Sequence, residues 1–407
     1  MFDSSAIFVG LEVGTSKICA VVGEVGDSGV PNIIGIGQCA SRGVRKGEIV
    51  DTARTEEDIR HALVEAEQMA NVEIRTVFLG VTGSHIRGFN NRGIHPIVSD
   101  NREITEEDLQ DVIKNAKAIN LPVQNHVVHS IRQGFLVDGH DGYTNPVGLL
   151  GSRLEADMHV VHGNLNRLQN TIGAVNKLRL KVEDIAFTGL ASSLAVLPRE
   201  AKEDGALVID MGGGTTDVVV YAGGSVKHSG VLAVGGDHLS NDLAIGLKVP
   251  LGRAEQLKIE YGGALVEENI KGQTVDVVND FGLPLKTFSL ENLRRIMWFR
   301  LEETFDLVRR DVEEAGLYDY LRAGVYLCGG CSRIPRVAEL AEDVFGLPVF
   351  IGRSDCLSGD KSSLSQPEFA AAIGLVRFGA NRRPTKRRKK TFAFRLTHPF
   401  QDLLGRR

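Results

Sequence analysis

Cysteine is scarce in this chain, with five among 407 residues, an odd number at irregular spacing. That excludes the disulfide framework of a small secreted domain and fits a reducing cytosol. A dominant charge of one sign is lacking too, since the formal net charge is only −5. No strong basic field exists for bulk nucleic-acid binding. No uncharged apolar stretch reaches the 18 residues of a membrane-spanning helix. The opening Met1-Phe2-Asp3-Ser4-Ser5 has neither the basic start nor the apolar core of a signal peptide. A Walker loop, G-x-x-x-x-G-K-[ST] leading into a helix, is also missing. What is there is 43% hydrophobic and 24% charged, in a chain too long for one core. The expectation is a cytosolic protein of two or more domains, unless its end attaches it to a surface.

The most informative stretch is Val208-Ile209-Asp210-Met211-Gly212-Gly213-Gly214-Thr215-Thr216-Asp217, followed by Val218-Val219-Val220-Tyr221. An apolar run ends in an acid, three glycines, two threonines and a second acid, and another apolar run begins. This predicts strand, tight turn, strand. Glycine lets backbone N–H groups close on an anion without a side chain in the way. Threonine hydroxyls add donors, and Asp210 stands where a hydrated divalent cation needs an oxygen. The same grammar occurs at Val9-Gly10-Leu11-Glu12-Val13-Gly14-Thr15-Ser16-Lys17, before the strand Ile18–Val22. Two such hairpins predict a nucleotide clamped between two related halves.

Along the chain, Ile33–Gly37 and Val77–Val81 read as strands. Thr55-Glu56-Glu57-Asp58 is expected to open a helix, with Thr55 as N-cap and Asp58 closing a capping-box variant. Residues 83–162 differ in character. A second acid-rich helix start, Thr105-Glu106-Glu107-Asp108, lies among strand-like pieces at 127–131 and 158–161, predicting a small α+β insertion. Residues 165–178 read as helix and 182–187 as strand. From 237 to 316 the pattern is mostly helical, with helices expected at 237–247, 251–261 and 290–315, the last capped by Ser289. Val325–Leu327 is a strand running into Cys328-Gly329-Gly330-Cys331-Ser332, and 368–378 is the last helix of the globular part.

After Ala380 the composition shifts. Residues 381–390 are polar and basic, a linker without a packed core. Phe392, Leu396, Phe400, Leu403 and Leu404 then fall on one helical face, with Arg395, Arg406 and Arg407 beside it. An amphipathic basic segment on a tether is expected to be an interfacial membrane anchor. Pro399 would break a continuous helix there, unless a shorter one starts at that residue.

Two glycine hairpins, an apolar strand ending in Gly329-Gly330 and the small-residue helix around Ala370-Ala371-Ala372-Ile373-Gly374 occur in order. Together they resemble the actin, sugar-kinase and heat-shock-chaperone ATPase superfamily. Within it, Gly235-Gly236-Asp237-His238-Leu239-Ser240-Asn241-Asp242-Leu243-Ala244, Gly189-Leu190-Ala191-Ser192-Ser193 and Ser41–Gly47 resemble the FtsA family of bacterial cell-division proteins. The resemblance spans nearly the whole chain. It implies an α/β, actin-like two-domain ATPase fold with an inserted α+β subdomain and a C-terminal amphipathic tail. The first domain core would comprise 1–82, 163–204 and 357–380, and the insertion 83–162. The second domain core would comprise 205–231 and 316–356, with an outer lobe at 232–315, a linker at 381–390 and the tail at 391–407.

The same resemblance implies ATP and Mg²⁺ as cofactors. Gly14, Thr15, Ser16 and Lys17 would contact the β/γ-phosphates, and Gly212, Gly213, Gly214, Thr215 and Thr216 would hold them from the other side. Gly329, Gly330 and Ser332 would face the sugar and α-phosphate, Glu255 and Lys258 would cradle ribose and adenine, and Gly235 and Gly236 would complete the pocket. Asp210 and Glu12 would hold water on Mg²⁺. The superfamily usually has Asp where this chain has Glu12, and the extra methylene displaces the carboxylate. ATP binding is therefore expected ahead of hydrolysis. Implied partners are the C-terminal peptide of the tubulin-like protein FtsZ, further copies of the chain in filaments, later division proteins meeting the insertion, and anionic lipid. Arg294, Arg295 and Arg300 are candidates for the FtsZ peptide's acidic groups. The implied location is peripheral, on the cytoplasmic face of the membrane at the division site.

Blander readings stand beside these. Glu255 and Lys258 also fit a plain helix-face ion pair. Cys328-x-x-Cys331 lacks the second pair a zinc site needs. His126, His129, His159 and His162 read as surface or hydrogen-bonded histidines. A sugar-kinase enzyme would need a catalytic base in a substrate cleft, and no convincing candidate stands out. A chaperone would need a peptide-binding domain, for which the 27 residues after Ala380 are too few.

Overall fold

The computed structural model describes residues 6–26, 29–278, 284–354, 358–359 and 365–382. The tail candidates Phe392 to Arg407 lie outside the described residues. Among those described, no helix is long and apolar enough to cross a membrane.

Two sheets of the same plan face each other. In the first domain a six-stranded sheet runs in the order Lys181–Phe187, Thr76–Val81, Ala6–Val13, Lys17–Val25, Pro31–Ala40, Ser358–Gly359. In the second the order is Ser225–Leu232, Thr216–Ala222, Ala206–Met211, Val325–Cys328, Val349–Ile351. Each contains an antiparallel glycine hairpin whose leading strand lies parallel to the strand on its other side. The central strands carry near-continuous buried runs such as Ile18–Val22 and Ala206–Ile209, as strands covered on both faces must.

Helices supply that cover. Thr52–Ala70 buries Ile59, Ala62, Leu63 and Ala66 against the first sheet, and Leu165–Lys177 packs beside it. On the other face, Thr188–Val196 and Ala370–Asn381 pack together. Ala370–Asn381 starts at the edge of the cleft, where Ala371 lines it, and its last turns reach the Phe78 ring and Asp184. Its 12 residues therefore carry the chain about 18 Å from the cleft. In the second domain Gly236–Leu247, Leu251–Tyr261, Leu290–Glu314 and Val337–Phe345 share one core around Leu243, Met297, Phe305 and Phe345.

The insertion is a four-stranded sheet in the order Arg87–Pro96, Arg153–Asn164, Asn125–Val137, His140–Tyr143, with the helix Glu106–Lys117 on one face. It has its own core of Ile104, Val112, Phe135, Leu154 and Met158. Each large side chain buried there contributes about 1.5–3 kcal/mol.

Two local expectations fail. The first helix begins at Thr52 with Asp51 as its cap, the side chain accepting from Arg54 N. Thr55 is instead buried inside the helix and donates to Asp51 O, while Asp58 accepts from Arg42 at 2.6–2.8 Å rather than closing a box. The outer lobe is also less helical than expected. It holds a hairpin of Thr274–Val278 and Pro284–Ser289, with Val275 opposite Phe288 and both buried.

Candidate functional site

The two glycine hairpins meet at the bottom of a cleft of about 620 Å³ between the domains, within the range of small-molecule sites. Both close in the same way, Gly14 N on Lys17 O at 3.0 Å and Gly212 N on Thr215 O at 2.9 Å. They nearly touch. A Cβ on Gly213 would lie 2.9 Å from Ser16 Oγ, and one on Gly214 would lie 2.5 Å from Thr15 Oγ1. Any side chain would wedge the hairpins apart, so glycine is needed at both positions. The segment Ser41–Gly47 braces this approach. Gly47 N donates to Thr15 Oγ1 at 2.9 Å, and the Lys46 backbone backs Gly214.

Three carboxylates stand at the floor. Burial pushes the Glu12 carboxyl up to about 7, with Lys17 opposing and Asp210 reinforcing the rise. Glu12 Oε2 is buried with no partner, an orphaned acceptor that a donor in the cleft would satisfy. Asp210 is raised by burial, and the Ser192 hydroxyl bonded to it and Lys17 pull the other way. Asp217 rises to about 7 through burial and the neighbouring Asp210, although Thr188 and Thr82 both donate to it. Crowding raises the proton affinity of these acids, a strain that a proton or a cation in the cleft would relieve and that Lys17 only partly offsets at Glu12 and Asp210.

Lys17 Nζ donates to Glu368 O and lies 4.5 Å over the Phe369 ring. Glu368 also pairs with Arg333 across the mouth of the cleft, leaving Oε2 buried and unpartnered. On the opposite wall Glu255 joins Lys258 at 2.7 Å, and Lys258 also donates to Gly236 O at 3.1 Å. The helix-face ion pair and a place in the cleft are thus one arrangement. Ile259, Ile334 and Pro335 add an apolar slot beside it.

Of the residues expected here, Glu12, Gly14, Thr15, Ser16, Lys17, Asp210, Gly212, Gly213, Gly214, Thr215, Gly236, Glu255, Lys258, Gly329 and Gly330 line the cleft. Thr216, Gly235 and Ser332 do not. Thr216 is fully buried and donates to Val234 O at 2.9 Å. Ser332 is buried and turns back to Gly329 O at 2.6 Å. Gly235 packs on the hairpin carbonyls, where Gly236 N and Asp237 N donate to Gly212 O and Gly213 O at 3.0 and 2.8 Å. Those helix-start amides secure the hairpin and are spent before any anion arrives. Gly329, at φ +82°, bends the strand end beneath Asp210, a conformation that favours glycine.

Sequence reasoning missed Asp217, Thr82, Thr188, Arg333, Glu368 and the Ile259–Pro335 slot. Asp217 was visible as the second acid of its motif. Thr82, Thr188 and Arg333 reach the cleft through chain crossings that no local pattern encodes. Cys328 and Cys331 are free thiols, with Cys331 Sγ 3.4 Å from Gly212 O. His129 and His159 are buried, and the first accepts from Phe187 N at 3.0 Å. The arginines proposed for a partner already hold acids: Arg294 pairs with Glu267, Arg295 with Glu291, and Arg300 with Asp242 and Glu303.

Comparison with known proteins agrees with this geometry. A family model described as "Cell division protein FtsA" matches residues 207–374, and one described as "SHS2 domain inserted in FTSA" matches 83–162. The cell division protein FtsA of Pseudomonas aeruginosa is 36% identical over 377 residues, covering 93% of this chain and 90% of that protein. Among solved structures, the PilM-PilN type IV pilus biogenesis complex superposes with a TM-score of 0.65 at 17% identity, over 92% of this chain and 98% of the other. MreB5 of Spiroplasma citri bound to ADP superposes with a TM-score of 0.52 at 17% identity, over 90% and 94%. These structures speak to the fold, which is actin-like. The mirrored hairpins, the inserted α+β subdomain and a match along nine-tenths of the sequence lead to one conclusion: the chain belongs to the FtsA family of cell-division proteins.

Proposed function

We propose that this protein binds ATP with Mg²⁺ in the cleft, polymerises on the cytoplasmic face of the membrane and anchors FtsZ filaments there during septum formation, linking them to later division proteins. The observation that carries the nucleotide part is the near-contact of the two glycine hairpins over three carboxylates, Asp217 buried and Glu12 and Asp210 half-buried. Backbone amides of both hairpins would face the phosphates, with Lys17 leaving Glu368 O to join them. Glu12, through its orphaned Oε2, and Asp210 would accept hydrogen bonds from water on the cation. Glu255 and Lys258 would hold the ribose, and the Ile259–Pro335 slot would take the base. The longer Glu12 side chain favours binding over rapid hydrolysis.

Family membership supports the division role. The tail's amphipathic pattern at Phe392, Leu396, Phe400, Leu403 and Leu404 supports attachment to anionic lipid, each nearby cation adding about 1 kcal/mol. Many tails on one polymer would bind far more tightly than one. The outer lobe, residues 232–315, is the proposed dock for the FtsZ peptide. It carries a depression of about 650 Å³ lined by Phe299, Arg300 and Leu307 among acids. The deciding experiment is anisotropy of a fluorescent FtsZ C-terminal peptide titrated with this protein and ATP. Saturable micromolar binding is expected. No binding, with ATP affinity intact, would leave an actin-like protein whose partner is something else.

A further inference from the structure

The inserted subdomain meets the second domain along a seam of side-chain hydrogen bonds bordered by apolar side chains, with Val226 and Val231 in one buried core with Ile86 and Val161. The second domain's sheet ends in the strand Ser225–Leu232, which pairs only with Thr216–Ala222 among the described residues. On its open side, side chains of the insertion take up backbone groups that a further strand would otherwise use. Asn90 Nδ2 donates to Lys227 O at 3.0 Å, and Gln133 Nε2 donates to Val226 O at 2.8 Å. Between them sits His159, fully buried, with Nδ1 2.7 Å from Asn90 Oδ1 and Nε2 2.8 Å from Ser229 Oγ. Because Asn90 Nδ2 is committed to a carbonyl, Asn90 Oδ1 must accept. His159 therefore carries its proton on Nδ1, and Ser229 donates to Nε2. Gly88 lets the backbones approach, since a Cβ there would lie 2.6 Å from Ser229 O.

A second tie lies at the root of the insertion. It begins directly after Thr82, whose Oγ1 donates to Asp217 Oδ1 at 2.6 Å. Asp217 belongs to the second hairpin and stands on the strand that pairs with the seam strand, Asp217 opposite Val231 and Val219 opposite Ser229. Root and body of the insertion are thus fastened to one β-ribbon, and that ribbon ends in the glycine loop of the cleft. Buried hydrogen-bonded ribbons of this kind shift as units rather than bend continuously.

We infer that the insertion is an arm whose seating on the strand Ser225–Leu232 is set by the occupancy of the cleft, through the Thr82–Asp217 tie and the Asn90–His159–Ser229 seam. This rests on the reading of the cleft as an ATP site. A phosphate group and its cation placed against Gly212–Thr215 act on the ribbon that holds both ties, so the interaction surface carried by the insertion differs between loaded and empty protein.

The test is amide hydrogen exchange on the full chain with and without Mg-ATP, with nucleotide binding measured on the same sample. Exchange rates in 87–96 and 225–232 should change by about threefold or more on loading. In the double variant Asn90→Ala/Gln133→Ala both segments should exchange fast and alike in either state, while ATP still binds. Ser229→Ala, a smaller change, should give the same loss of response if the double variant does not fold. Bound ATP with unaltered exchange at both segments in the unmodified protein would overturn the arm. Absence of ATP binding would overturn the cleft reading and the arm with it.

Discussion

At the scale of single residues, the cleft floor is a set of acids held at a cost. A carboxyl whose folded value is raised holds its proton more tightly than in the unfolded chain. Its stabilising contribution is complete below the unfolded value of 4.5 and is lost as pH rises through about 7, the folded value at Glu12. Glu12→Gln removes a charge that is buried and partly orphaned at pH 8. The nucleotide-free variant should melt about 3 °C higher than the parent at pH 8 and no higher at pH 5. An equal shift at both pH values would mean that the charge is not what matters. Asp210→Ala should abolish most Mg-dependent ATP affinity, followed by titration calorimetry with and without Mg²⁺. Unaltered affinity would remove Asp210 from the cation's surroundings.

At the scale of elements, one tetrapeptide has two fates. Thr-Glu-Glu-Asp occurs at 55–58 and at 105–108. At 105, read in the sequence only as a helix start, it forms the capping box expected at 55, with Asp108 N on Thr105 Oγ1 at 3.2 Å and Thr105 N on Asp108 Oδ2 at 2.8 Å. At 55 the helix has already begun at Thr52 with Asp51 as its cap, and Asp58 is held by Arg42, remote in sequence. Thermal melts should rank the consequences. Thr105→Ala loses a surface cap worth about 1 kcal/mol, whereas Asp58→Asn weakens the charged hydrogen bonds that the fully buried Asp58 accepts from Arg42 and costs about 2 kcal/mol. Similar losses would mean that Asp58 acts only locally.

The same contrast explains what was legible in the chain. Helices at 251–261 and 290–314, and both glycine hairpins, are written in local periodicity and punctuation, and the structure has them there. The paired strands at 274–278 and 284–289 were hidden by their shortness and mixed polarity. Thr82, Thr188 and Arg333 belong to the cleft only because distant segments cross there. Thr216 and Ser332 show the converse, since the motif names them and packing turns them away.

At the scale of the whole molecule, the proposed tail and the cleft are tested apart. Deleting residues 391–407 should abolish pelleting with anionic liposomes while nucleotide binding stays intact, both measured on one preparation. Unchanged pelleting would place membrane contact elsewhere.

The helix Ala370–Asn381 sets what that separation is good for. One end borders the cleft, and the other delivers the chain at Arg382, beside Asp184 and well away from the cleft. Mooring through whatever follows Arg382 would act about 18 Å along that helix from the cleft rather than across it. Spent nucleotide could then leave and fresh nucleotide enter while the mooring holds, so the clock of the cleft and the lifetime of attachment would be free to run at different rates.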